Sequence, residues 1–108
     1  MLPIAEEYCR AESLIVLAIA DADWDAATLP SLRDALDELQ RKWHDLTDAR
    51  DHEDNMMAAV AEAEQAGDGA RAAVETNTEL LQRTRASVLE AHHAVKRFKR
   101  ELRSQYPA

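Results

Sequence analysis

The stretch ARAAVETNTELLQRTRASVLEAHHAVKRFKRELRSQ, residues 70–105, decides the fold. Read by sevens, one set of positions is Ala70, Asn77, Thr84, Ala91, Phe98 and Gln105. The second set is Val74, Leu81, Val88, Val95 and Leu102. Alternating steps of four and three residues make the seam of a helix packed on other helices. Ala73, Leu80, Ser87 and Ala94 widen that stripe on one flank, so the face meets more than one neighbour. No Gly or Pro interrupts the run before Pro107. A single helix of this length would span roughly 50 Å.

Working outward, Gly67-Asp68-Gly69 reads as a stop, with Gly67 as a C-cap and Asp68 capping the helix after it. Upstream, Leu32, Ala35, Leu36, Leu39, Trp43 and Leu46 recur at helical spacing. A polar interval follows from Thr47 to Asn55, and Met56, Met57, Val60, Ala61 and Ala63 resume the apolar pattern. Two readings stand for residues 31–66. Either two shorter helices break near 48–54, or one long helix folds back at 67–69; the long hairpin is preferred. That fold-back would set Asp51 and Glu53 near Arg83 and Arg85, and Trp43 near His92 and His93. It would set Leu39 near Phe98, and Asp34, Asp37 and Glu38 opposite the basic cluster Lys96–Arg100. The alanines from Ala58 to Ala73 would form a thin arm, with the core at the base of the hairpin. Its expected members are Ile15, Ala18, Leu36, Leu39, Trp43, Leu46, Leu81, Val88, Val95 and Phe98.

At the N-terminus, Pro3 suits a first helical turn, and Ile4, Tyr8, Ala11, Ile15 and Ala18 give a helix of about 3–20. Leu14, Leu17 and Ile19 lie off that stripe, so its second half is apolar nearly all round and needs cover on several sides. Asp21 to Asp25 reads as a turn, with Asp21 or Asp23 as a cap and Trp24 at a helix start. Pro30 then either kinks a helix begun near Trp24, the preferred reading, or sits in the first turn of one begun near Thr28. The fold expected is all-α: an antiparallel bundle of three to four helices in one domain, 1–108. It is built on a long hairpin with a shorter N-terminal helix, with helices at about 3–20, 24–50 (or to 66) and 70–104.

With 108 residues, two Gly and three Pro, a turn-rich sheet protein is excluded. Cys9 alone cannot form an internal disulfide, which points to a cytoplasmic setting and a buried or half-buried structural thiol. The longest apolar run, Leu14 to Ala20, is far too short to span a membrane. The net charge of −8 hides an asymmetry: residues 1–69 hold 5 Lys/Arg and 17 Asp/Glu, residues 70–108 hold 8 and 4. The acidic surplus argues against nucleic acid as the main partner. Glu90-Ala91-His92-His93 holds one Glu-x-x-His spacing, where a di-iron bundle needs two and further carboxylates. His44 and His52 read as solvated. No phosphate loop, nucleophile elbow or zinc spacing is present, so no catalytic residue, metal or cofactor is expected.

Ser13-Leu14-Ile15-Val16-Leu17-Ala18, then Trp24-Asp25, then a leucine-rich helix carrying Arg33, resembles the start of flagellar export chaperones of the FliT type. Val74-Glu75, Asn77, Leu80-Leu81 and Arg85 are similar to that family's third helix. The related FlgN type is also a long helical hairpin. The resemblance implies a non-enzymatic cytoplasmic chaperone that binds a segment of a filament-cap-type substrate and presents it to the export apparatus. Pro30 departs from the family pattern, and the sequence lacks the extra C-terminal regulatory helix of some members. Candidate partner-binding residues are Leu14, Leu17 and Ile19 on the first helix and Val95, Phe98 and Leu102 on the last. A homodimer is the other way to cover them, and a structural or adaptor module acting as such a dimer is the alternative function.

Overall fold

The computed structural model describes residues 3–49 and 53–105. It holds four helices: α1 (Pro3–Trp24), α2 (Pro30–Asp48), α3 (Glu53–Thr76) and α4 (Gln82–Gln105). They run up, down, up and down around one buried cluster to which all four contribute. A 24-residue helix is about 36 Å long, and the molecule measures 42 × 22 × 19 Å, so the helices lie side by side along its length. α1 packs on α4 and on α2, and α3 packs on α2 and on α4; the diagonal helices lie farther apart and meet through core side chains, as Trp43 of α2 does with Phe98 of α4. The fold is the all-α bundle expected. Among the described residues, no helix is long and apolar enough to cross a membrane.

The hairpin turns elsewhere than at 67–69. α3 runs straight through Gly67-Asp68-Gly69, and neither glycine has a positive φ. Gly67 is buried between α4 and α2: a Cβ there would lie 3.5 Å from His92 Cδ2 and 4.0 Å from Leu39 Cδ1. Packing of α3 on both neighbours outweighs a helix-propensity cost of about 1 kcal/mol per glycine. The alanines of α3 are therefore no loose arm. Ala59, Ala63 and Ala70 are buried core residues.

The long run 70–105 breaks instead at Asn77. Its backbone N–H still bonds the Ala73 and Val74 carbonyls, then Thr78 and Glu79 turn, and α4 starts at Gln82. Thr76-Asn77-Thr78 is a run of poor helix formers whose side chains compete for the backbone. Arg85 reaches back to hold the carbonyls of Val74 and Asn77, each at 3.1 Å, and so satisfies the frayed end of α3. Leu81, expected in the core, sits in this turn and is 56% exposed. The other nine expected core residues are buried.

The second correction concerns Trp24 and Pro30. α1 continues through Asp21-Ala22-Asp23 and ends at Trp24, so the tryptophan closes a helix rather than opening one. α2 begins at Pro30 with extended Leu29 as its N-cap. Proline at the first helical position lacks only an N–H that would be orphaned anyway, so no kink forms. α2 in turn ends at Asp48, with Ala49 in a turn, which decides for two helices over one long one. Asp51, His52 and the Glu53 side chain lie outside the described residues.

Registers shift accordingly. Trp43 stacks on Tyr8 with ring centroids 4.9 Å apart and meets the edge of Phe98 at 5.1 Å, rather than facing the histidines. Lys99 bonds Glu64 at 2.8 Å and Lys96 approaches Asp68 at 3.7 Å, so the acids facing the basic cluster belong to α3, not α2. Glu38 pairs with Arg41 and Lys42 on its own helix.

Candidate partner-binding surface

Ala11, Ile15, Ala18 and Ala22 turn inward from α1, at 0–1% exposure. At 100° per residue, Leu17 and Trp24, seven apart, then share the opposite side, with Val16 beside them. They are 47%, 84% and 51% exposed. Leu14 and Ile19 are half-buried against the core. Leu14 borders a groove with Glu90, Ala94 and Arg97 of α4, and Ile19 borders one with Arg33, Leu36 and Asp37 of α2. The other three candidates, Val95, Phe98 and Leu102, are core residues at 0–2% exposure and offer no surface in this conformation. The six candidates therefore do not form one site. Leu17 is the member that is open, and Val16 and Trp24 join it.

Leu29 and Leu81 extend the apolar surface onto the end of the bundle, at 47% and 56% exposure. A polar lock holds the loops that carry them. Asp25 accepts hydrogen bonds from the Ala27 N–H at 3.0 Å and the Leu81 N–H at 2.8 Å. Asn77 accepts from the Leu29 N–H at 2.9 Å and donates to the Ala27 carbonyl at 3.0 Å. Deeper in, Ser87 donates to the Asp21 carboxylate, which Arg83 approaches at 3.5 Å. The Leu81 and Ala27 N–H groups hold the Asp25 carboxyl below its usual range, with Thr84 and Arg83 adding to the effect. Asp21, Asp25, Asn77, Thr84 and Ser87 are all buried. The sequence reading offers Asp21 as a cap, sets Asp25 in a turn and places Asn77, Thr84 and Ser87 on the packed stripe, but it does not foresee the bonds between the two loops, although an Asp or Asn just past a helix end is a recognisable turn signal.

At the opposite end, a cavity of about 390 Å³ opens between the helices, lined by Ala5, Tyr8, Cys9, Leu46, Met56 and Phe98, with Thr47 beside them. The walls are almost wholly apolar. Cys9, expected to be at least half-buried, is exposed. On the α3–α4 side, His92 is 5% exposed and its Nε2 lies 2.7 Å from an Asp68 oxygen. That hydrogen bond holds the Asp68 carboxyl below its usual range, helped by Lys96 and Arg71. His93 is exposed, with its ring centroid 5.6 Å from that of His92. Among the described residues, no group of three His, Cys, Asp or Glu side chains is placed to hold a metal ion. What this arrangement can do is present fixed apolar side chains on one helix face and one end. No protein-family model, curated protein or solved structure matches this chain.

Proposed function

We propose that this chain is a non-enzymatic protein-binding bundle that acts as a flagellar export chaperone of the FliT type in the cytoplasm. The outer face of α1 takes an amphipathic helix of a filament-cap-type substrate, which is then presented to the export apparatus. The observation that carries this reading is the pairing of Leu17 with Trp24 on a face that no helix of the bundle covers. Val16, Leu17 and Trp24 on α1 and Leu29 and Leu81 in the two loops are open, and even summed they expose on the order of 500 Å² of apolar surface. A standard interface between globular partners needs about 800 Å² from each side. The patch is small for a globular partner and suits a single helix anchored at positions i, i+3 or i+4 and i+7. Of the elements that carry the family resemblance, Ser13–Ala18 and Trp24 lie on this same helix and Asp25 follows directly after it.

The test uses Trp24 as its own reporter, since Trp43 is 1% exposed and gives a constant background. Titrating the protein with a peptide of the C-terminal helical segment of a filament-cap protein is expected to shift the emission to the blue. The shift should disappear in Leu17→Gln. No shift at millimolar peptide, or a shift indifferent to Leu17→Gln, refutes the reading. Sedimentation as a tight dimer whose interface buries Trp24, with no peptide affinity, favours the structural module instead.

A further inference from the structure

The two hairpins, α1–α2 and α3–α4, follow one plan at an offset of 52 residues. Asp25 and Asn77 open the two loops, Leu29 and Leu81 close them, and the members of each pair are 52 apart. The same offset carries Trp24, last in α1, to Thr76, last in α3, and Pro30, first in α2, to Gln82, first in α4. The core obeys it as well. Ala18 answers to Ala70, Ala22 to Val74, Leu36 to Val88, and Leu46 to Phe98, all buried. Every buried residue of the first hairpin has a buried counterpart in the second except Asp21, whose counterpart Ala73 is half-buried.

The hydrogen bonds repeat the plan and cross between the hairpins. Asp25 of the first loop accepts from Leu81 of the second at 2.8 Å, and Asn77 of the second accepts from Leu29 of the first at 2.9 Å. Such an exchange sets a pseudo-twofold axis between the loops, along the length of the bundle. The helix packing respects that axis. α1 on α4 is the equivalent of α3 on α2, and these are the two most extensive contacts in the molecule. α1 and α2, joined by a short loop, touch least. Each hairpin thus buries its apolar face mainly against the other hairpin.

We propose that the inner face of each hairpin is a docking surface for a hairpin of the same kind, and that a second copy of this chain can supply it. Two chains then exchange hairpins into a dimer with the same core and the same crossed caps. The two arrangements differ only in which chain's α3 follows each α2. The contacts between hairpins are common to both arrangements, so connection length and protein concentration set the balance. A connection long enough to fold back favours the closed monomer, and one too short leaves exchange as the way to bury the inner faces. This inference stands apart from the chaperone reading, because it concerns the inner faces and not the outer face of α1.

The experiment uses the full chain with Cys9→Ser, Lys42→Cys and Glu62→Cys. Lys42 Nζ and Glu62 Oε1 lie 3.4 Å apart across α2 and α3, a contact between hairpins. A disulfide needs Cα atoms about 4.4–6.8 Å apart, which two long side chains meeting at their tips do not provide, so the cysteines are bridged with a flexible bis-maleimide; this parent is expected to be cross-linked within one chain. Deleting Arg50, Asp51 and His52 is expected to give a dimer by sedimentation, with unchanged helicity and a covalent dimer on a denaturing gel. A folded deletion variant that stays monomeric, or a dimer whose cysteines are bridged within each chain, overturns the proposal. Should the deletion variant fail to fold, the parent is refolded from urea at concentrations up to about 1 mM and treated with the same bis-maleimide. Covalent dimer rising with concentration supports exchange, and none at the highest concentration overturns it.

Discussion

Replacing Gly67 and Gly69 by alanine separates a continuous α3 from a hairpin that turns at these residues. Both glycines lie inside the helix, with no positive φ to protect. A Cβ on Gly69 would meet nothing within 4 Å, and one on Gly67 would make ordinary contact with His92 and Leu39. Neither substitution therefore meets a steric obstacle. Each removes backbone freedom from the unfolded chain and raises helix propensity, worth about 1 kcal/mol per site in a helix interior. The sites are two residues apart, so on a helix they do not face each other, and the double variant should gain about 2 kcal/mol. For a domain of this size, 1 kcal/mol moves the midpoint by about 4–8 °C, so the double variant should melt roughly 10 °C higher. Thermal and urea unfolding followed by circular dichroism reads this directly, with an unchanged urea m-value as the control. A turn at 67–69 with either glycine in the left-handed region gives the opposite sign: a β-carbon there costs about 1 kcal/mol or more. A loss of stability in Gly67→Ala or Gly69→Ala alone refutes the helical path.

Three further outcomes follow from the same geometry. Asn77→Ala strands the Leu29 N–H and the Ala27 carbonyl; it should cost about 2–4 kcal/mol in urea unfolding, while Asn77→Asp keeps the acceptor and should cost less. Acid should destabilise the fold through Asp25 and Asp68, both held below 3.8 in the folded state. Carboxyls depressed in this way contribute fully above their unfolded value, and the contribution fades as pH falls through the folded one. The urea midpoint should therefore drop below about pH 4, and Asp68→Asn should flatten that drop. Exposed Leu17→Gln and Trp24→Ser should leave stability within about 0.5 kcal/mol while removing peptide binding; a large stability loss in either would assign that side chain to the fold instead.

The helices themselves were legible because their apolar faces recur every three or four residues, and nearly every expected core residue is buried. The break after Asp48 was one of two readings open in the sequence, whereas the continuity at 67–69 and the break at Asn77 were not legible, for the same reason at both. Gly67-Asp68-Gly69 is the strongest local stop signal in the chain, yet α3 passes through it because its buried face packs on two helices. Asn77 breaks a run with no Gly or Pro because side chains take over its helix ends: Asp25, distant in sequence, receives the Leu81 N–H, and Arg85, one turn into α4, holds the carbonyls of Val74 and Asn77. Local propensity carries no record of partners some 50 residues away. A turn at 77–81 in place of 67–69 gives Trp43 and the basic cluster of α4 other partners than those expected. Within the candidate site, Leu17 was readable as an apolar residue off the core stripe. Trp24 was not, because its exposure depends on α1 extending four residues beyond the expected end.

The internal repeat supplies a control for whether the open face of α1 belongs to the fold or to a partner. At the offset of 52, Val16 answers to Asp68, Leu17 to Gly69 and Trp24 to Thr76. All six positions are exposed, and α1 packs on α4 as extensively as α3 packs on α2. On α3 the bundle is satisfied with a charge, a glycine and a hydroxyl at these places. It therefore does not require a valine, a leucine and a tryptophan at the matching places on α1. Large apolar side chains in water gain nothing for the monomer and raise its tendency to associate. The inward-facing positions show the reverse relation: Ala18 with Ala70 and Leu36 with Val88 stay apolar in both hairpins, because both must fill one core. Where the hairpins agree, packing is the constraint. Where they differ on exposed positions, the apolar copy needs a reason outside the bundle, and a helix laid along α1 provides one.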